Sequence, residues 1–163
     1  VKEEAMPEKL NPIPDGASAV TPYLSVSNAG EMIEFYKKVF GAVETFRLKQ
    51  PDGRIGHAEL RVSGGAIMLA DEFPEMNFLS PKSLGGKRSP VSIHLYVDNV
   101  DDVYKRALAA GATSLREPED QFYGERNAQV RDPSGHCWDI SMQIEKVSPE
   151  EMQKRFHAMV NKS

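Results

Sequence analysis

The landmarks of this chain recur at a fixed distance, and that recurrence constrains the fold more than any single motif. Val26 and Val97, Asn28 and Asn99, and Gly64 and Gly135 are each 71 residues apart, while Gly41-Ala42 and Gly111-Ala112 are 70 apart. A near-constant offset over strand ends, helix caps and turns marks an internal duplication. The second helix is then one residue shorter than the first.

Each copy reads as βαβββ. In the first, VTPYLSV (20–26) alternates apolar and polar residues as a strand does. Asn28 is placed to cap a helix with Glu31 in its first turn; Met32, Ile33, Tyr36, Val39 and Phe40 follow at helical spacing up to Gly41. Strands follow at 43–50, 54–62 and 66–70, with PDG (51–53) as a turn. In the second copy PVSIHLYV (90–97) is the strand, and Asp98 or Asn99 caps a helix carrying Val100, Val103, Tyr104, Ala107 and Leu108. Strands are expected at 112–117, 127–131 and 137–143. The reading divides the chain into a loosely held tail (1–19), a first module (20–70), a connecting loop (71–89), a second module (90–143) and a C-terminal helix (148–160). Ser148, Pro149 and Glu151 open that helix as cap, first helical residue and capping-box partner. Met152, Phe156, Met159 and Val160 give it one apolar face, to dock on its own module or on a partner subunit.

Composition narrows the partners. A net charge of −4, with basic clusters no longer than Lys37-Lys38 and Lys87-Arg88, provides no phosphate-binding surface, so no nucleic-acid partner is expected. Apolar runs fall short of a membrane span and the first residues carry no apolar signal segment, so no membrane partner is expected. The single cysteine, Cys137, excludes an internal disulfide and a multi-cysteine metal site, which fits a cytoplasmic protein.

Neighbouring side chains of a strand point to opposite faces, so each strand can be split into two sets. Val20, Pro22, Leu24 and Val26 oppose Thr21, Tyr23 and Ser25; Val91, Ile93, Leu95 and Val97 oppose Ser92, His94 and Tyr96; Ala58, Leu60 and Val62 oppose His57, Glu59 and Arg61; Trp138, Ile140, Met142 and Ile144 oppose Cys137, Asp139, Ser141 and Gln143. One set packs on helices. The other is rich in His, Tyr and carboxylate and poor in Lys, which favours a lined cup over a solvated face. Two connections add candidates. The long loop 71–89 carries Phe73, Met76, Phe78 and Leu79, a lid for the cup or a clasp on a second subunit. DQFYGERN (120–127) offers Tyr123 and an Arg126 placed to hold an anionic or carbonyl-bearing ligand.

With this plan on the page, the chain resembles the glyoxalase / bleomycin-resistance / extradiol-dioxygenase (vicinal oxygen chelate) superfamily. The likeness rests on the duplicated βαβββ plan, IEFYKKVFGA (33–42), YVDNVDDVYKRALAAGA (96–112) and DPSGHCWDI (132–140), and spans roughly residues 20–143. It implies an α+β fold of two paired βαβββ modules forming a curved, cup-like mixed sheet, with the C-terminal helix added to it, a homodimer, and a small organic molecule bound in a cup between the modules. Metal-dependent members place ligands on the first and last strands of each module. The matching positions here are Thr21, Met68, Ser92 and Asp139, of which only Asp139 suits a hard divalent cation. The usual metal centre is therefore expected to be absent and no cofactor is expected. A divalent metal on His57, Glu59, His94 and Asp139 is the alternative, weakened because the family's strand order puts the fourth strand of a module between the third and the first, about two spacings of ~4.8 Å, which sets His57 and His94 far apart. The expected ligand-binding set is Tyr23, His57, Glu59, His94, Tyr96, Tyr123, Arg126 and Asp139. Three function classes remain open: a small-molecule-binding or sequestering protein, a metal-dependent lyase, isomerase or dioxygenase, and an interaction module with a vestigial cup.

Overall fold

The computed structural model describes residues 10–162; residues 1–9 of the expected tail lie outside the described residues. The elements run β1 (Tyr23–Val26), α1 (Ala29–Phe40), β2 (Val43–Lys49), β3 (Ile55–Val62), β4 (Gly65–Asp71), β5 (Ser92–Tyr96), α2 (Val100–Ala109), β6 (Thr113–Asp120), β7 (Glu125–Arg131), β8 (Cys137–Gln143) and α3 (Pro149–Val160). They build two open four-stranded sheets with the same strand order, β1-β4-β3-β2 and β5-β8-β7-β6. In each, the first strand runs parallel to the last and the remaining pairs are antiparallel. This is the duplicated βαβββ plan, laid out as two sheets.

The predicted helix signals hold in detail. The Asn28 side chain accepts from Glu31 N, Asn99 from Asp102 N and Ser148 from Glu151 N. Gly41 ends α1 with φ 67°, a left-handed conformation that costs glycine nothing.

Strand limits differ where backbone chemistry intervenes. β1 starts at Tyr23, not Val20, because Pro22 has no N–H to donate to the ladder. Val20 and Val91, expected on the core face, are exposed. β6 runs on to Asp120 through Pro118, tolerated because β6 is an edge strand with a register shift at that point. The stretch 120–127 is consequently not an open loop. It is a tight turn at Gln121–Gly124, closed by Gln121 N to Glu125 O at 2.7 Å, with strand on both sides.

The apolar faces of both sheets and of α1 and α2 form one core. Tyr36 and Phe40 of α1 pack on Trp138 of β8, with ring centroids 5.4 and 4.5 Å apart. Arg106 of α2 donates to Val39 O of α1 at 3.0 Å. The stretch 132–136 fastens the modules together. Buried Asp132 accepts from Tyr36 Oη (2.7 Å) and Trp138 Nε1 (2.9 Å) on one oxygen, and from Ser134 N and His136 N on the other. Ser134 Oγ accepts from Ser27 N at 2.6 Å, His136 Nε2 lies 2.8 Å from Ser25 O, and Lys82 N donates to Ser134 O. Both sheets thus bury their apolar sides in the shared core and present their polar sides away from it. At the rim, α3 is held by Arg155, which donates to Glu145, Glu151 and Phe122 O, and by a Phe122–Phe156 ring contact. Among the described residues, no helix is long and apolar enough to cross a membrane.

Candidate functional site

On the first sheet, strand register brings Tyr23 beside Met68, Met68 beside Glu59, and Glu59 and His57 beside Phe46 and Leu48. The Tyr23 hydroxyl is 2.8 Å from His57 Nδ1, and His57 Nε2 is 3.1 Å from Glu59 Oε1. Partial burial raises the Tyr23 phenol above its ordinary range and keeps it protonated. Beside this relay lies a cavity of about 510 Å³ lined by Tyr23, Gln50, Gly56, Ala70, Phe73, Met76 and Phe78. The connecting segment supplies three of these. It folds through one 3-10 turn (Pro74–Met76) and a Phe73–Phe78 bridge, burying Phe73 and leaving Met76 exposed.

The second sheet presents a different face. His94 pairs with Asp139 across the parallel β5–β8 ladder, and Asp139 pairs with Gln129, whose amide donates to its carboxylate. Tyr96 donates to Glu125 at 2.7 Å, with His94 Nε2 3.8 Å from the same carboxylate. That hydrogen bond pushes the Tyr96 phenol up. Buried Asn127 donates to Ser141 and accepts from Arg116. Burial, foremost, raises the Tyr123 phenol.

The free edges β1 and β5 flank a further cleft of about 540 Å³. Tyr23 and His94 both line it, together with Leu24, Ile93 and His136. This cleft brings those two predicted residues to one cavity, whereas His57 and Glu59 remain on the first sheet and Tyr96, Tyr123 and Asp139 on the second. Arg126 is placed elsewhere. Strand alternation turns it to the helix side with Ala128 and Val130, where it forms a bidentate pair with Asp101 of α2 (2.6 and 2.9 Å) and a third bond to Asp120. Three of its donors are engaged there, apart from the other residues expected to bind a ligand. The residues missed by the sequence reading are Glu125, Asn127, Gln129 and Arg116. The first three follow from alternation once β7 is extended to residue 125. Arg116 lies next to a register shift and carries no such signal.

The positions that match the family's metal ligands hold two neutral hydroxyls, a thioether and one carboxylate: Thr21, Ser92, Met68 and Asp139. This donor set does not fit a hard divalent cation. Among the described residues, no three His, Cys, Asp or Glu side chains stand close enough together to hold a metal ion.

Known proteins share this architecture. The model of the Glyoxalase/Bleomycin resistance protein/Dioxygenase superfamily matches residues 18–140. An uncharacterized protein of Mycobacterium tuberculosis (strain H37Rv) is 44% identical over 138 residues, covering 83% of this chain and 80% of that one. The solved structure of TioX from Micromonospora sp. ML1 matches with a TM-score of 0.58 at 26% identity, over 80% of this chain and 100% of that one. The fosfomycin resistance protein FosX of Listeria monocytogenes matches with a TM-score of 0.61 at 16% identity, over 83% of this chain and 97% of that one, a likeness of fold alone. The family model spans both modules, and this chain belongs to the glyoxalase/bleomycin resistance protein/dioxygenase superfamily.

Proposed function

We propose that the chain binds a small organic molecule on the polar faces of its modules, without the metal centre used by metal-dependent members of the family. The observation that carries this reading is Tyr23. It stands at an apolar cavity and at the cleft between the free edges, and a hydrogen-bonded relay fixes its hydroxyl. A concave, mostly apolar space with a few fixed polar groups is what a small-molecule site requires. The donor chemistry at Thr21, Met68, Ser92 and Asp139 argues against the metal-dependent alternative. We further propose a homodimer in which a second copy covers the open edges β1 and β5, completing around one ligand what each sheet offers singly. Open sheet edges call for such cover.

A thermal-shift screen tests the reading, run with divalent metals and with aromatic, amide and carboxylate small molecules, in the presence and absence of chelator. A ligand at a hundredfold excess over its Kd stabilises by about 2.7 kcal/mol. The expected result is stabilisation by an organic compound that chelator leaves unchanged. Stabilisation by metal alone would overturn the reading in favour of a metal-dependent enzyme, and no response to any class would favour an interaction module. A sedimentation run that returns only monomer would overturn the dimer.

A further inference from the structure

Resting on the ligand-binding reading above, we propose that the cavity beside Tyr23 takes an aromatic ligand bearing a hydrogen-bond donor, an N–H or phenol-type O–H, which the Tyr23 oxygen accepts. The aromatic part follows from the walls. Phe78 meets Tyr23 edge-on, with centroids 6.0 Å apart at 75°. The buried Phe73 ring carries the Arg54 guanidinium 4.3 Å from its centre, and Arg54 is itself held by Asp52 and Glu75. Met76 adds a polarisable thioether, exposed at 76%. Flat π-systems pack well against such edges and sulfur. A space of about 510 Å³ admits a bicyclic ring.

The donor requirement follows from counting protons along the relay. A carboxylate only accepts, so the imidazole nitrogen facing Glu59, Nε2, carries the hydrogen. In a neutral imidazole the other nitrogen, Nδ1, is then an acceptor, and Tyr23 must donate its single hydrogen to it. With that hydrogen committed, the phenol oxygen has only lone pairs left to offer. Both His57 nitrogens are occupied and Phe46 packs against its ring at 6.0 Å, so a ligand meets the relay at Tyr23. An incoming carbonyl or ether oxygen would face lone pair against lone pair; an N–H or O–H would be bonded. Glu59 thus acts as a positioning residue, two bonds removed from the ligand.

Indole and benzofuran test this directly. They share size and shape, but one presents an N–H and the other a ring oxygen. Calorimetric titration of the full chain at pH 8 should show indole binding roughly fivefold to tenfold more tightly, the worth of about one hydrogen bond. Tyr23→Phe keeps the ring, removes the acceptor and should bring the ratio to about one. Glu59→Gln supplies an amide that can donate to Nε2, which lets the relay reverse. Benzofuran should then gain on indole, a change that loss of structural support would not produce. Melting curves establish that each variant is folded.

Equal affinity for the two heterocycles, or a preference that survives Tyr23→Phe, overturns the donor requirement and leaves the binding reading standing. Failure of both heterocycles to bind, alongside stabilisation by another ligand class, overturns the aromatic assignment alone. Failure of every organic class in the thermal-shift screen, with or without stabilisation by metal, overturns the binding reading itself.

Discussion

The two modules share a frame and differ in what they display on it. Asn28 and Asn99 both cap helices, and Gly64 and Gly135 both turn with positive φ before the last strand of their sheets. On the polar faces the likeness ends. The first carries Tyr23, Phe46, Leu48 and Met68 around one His–Glu relay. The second is a mesh of Asp139, Gln129, Asn127, Ser141, Tyr96 and Glu125. Frame residues answer to the core, which tolerates little change in volume or backbone path. Face residues lie outside that core, and nothing in the fold obliges the two faces to match.

The largest expected effect lies where the modules join. Trp138 belongs to the second module, yet it packs on Tyr36 and Phe40 of the first and donates to Asp132. Trp138→Ala should cost about 3–5 kcal/mol, the range for a large aromatic removed from a core. Urea denaturation checks it. A loss below about 1.5 kcal/mol would mean that the modules are not joined through this residue. The glycine pair sharpens the comparison, since the two occupy the same place in the repeat. Gly64 has φ 81° with nothing near the position of an added Cβ, so Gly64→Ala should cost only the left-handed strain of about 1–2 kcal/mol. Gly135 has φ 97° and a Cβ there would lie 2.7 Å from Lys82 N and 3.0 Å from Pro81 Cβ. Gly135→Ala should cost that strain and a backbone displacement as well, at least about 2 kcal/mol more than its counterpart. Equal losses would show that the linker does not brace the second module.

This contrast also marks how far the sequence is legible. The repeat gave away the frame, because caps, glycine turns and alternation are local signals imposed by backbone geometry. Strand limits were less plain. Pro22 and Pro118 both belong to edge strands, yet one stands just before β1 and the other is carried inside β6 beside a register shift, and such a shift is a matter of tertiary pairing. Tyr23, His57 and Glu59 could be placed on one face by alternation, while their hydrogen-bonded order could not. The face that Arg126 takes was not legible, because the limits of β7 decide it. Arg116 was invisible because its position depends on a shift of register.

Tyr36 gives the next effect. Its hydroxyl donates to the carboxylate of Asp132 across the module boundary. Tyr36→Phe should cost about 1.5–3 kcal/mol at pH 8, as for a hydrogen bond to a charged group. Burial, foremost, and then Asp132 push this phenol well above its ordinary range, so the folded state favours the neutral form. Its contribution is fully present below the unfolded phenol value near 10 and is lost as pH rises through that value toward the displaced one. Between about pH 10 and pH 11.5 the native protein should therefore lose stability more steeply than Tyr36→Phe, by up to about 1.4 kcal/mol per pH unit. Parallel slopes would place the titration elsewhere.

The smallest effects test whether the shared caps are equal. Asn99 has extended backbone (φ −145°), and Asn99→Ala should cost only the cap, about 1 kcal/mol. Asn28 makes the same bond from φ 117°, a conformation that asparagine tolerates better than alanine does. Asn28→Ala should exceed Asn99→Ala by about 1 kcal/mol, while Asn28→Gly should recover most of the difference and leave little beyond the cap itself. If glycine and alanine at position 28 are equally destabilising, the positive φ adds nothing there and the two caps are energetically one feature repeated. If glycine recovers stability at 28 but not at 99, the first module carries a strained helix entry that the second has lost.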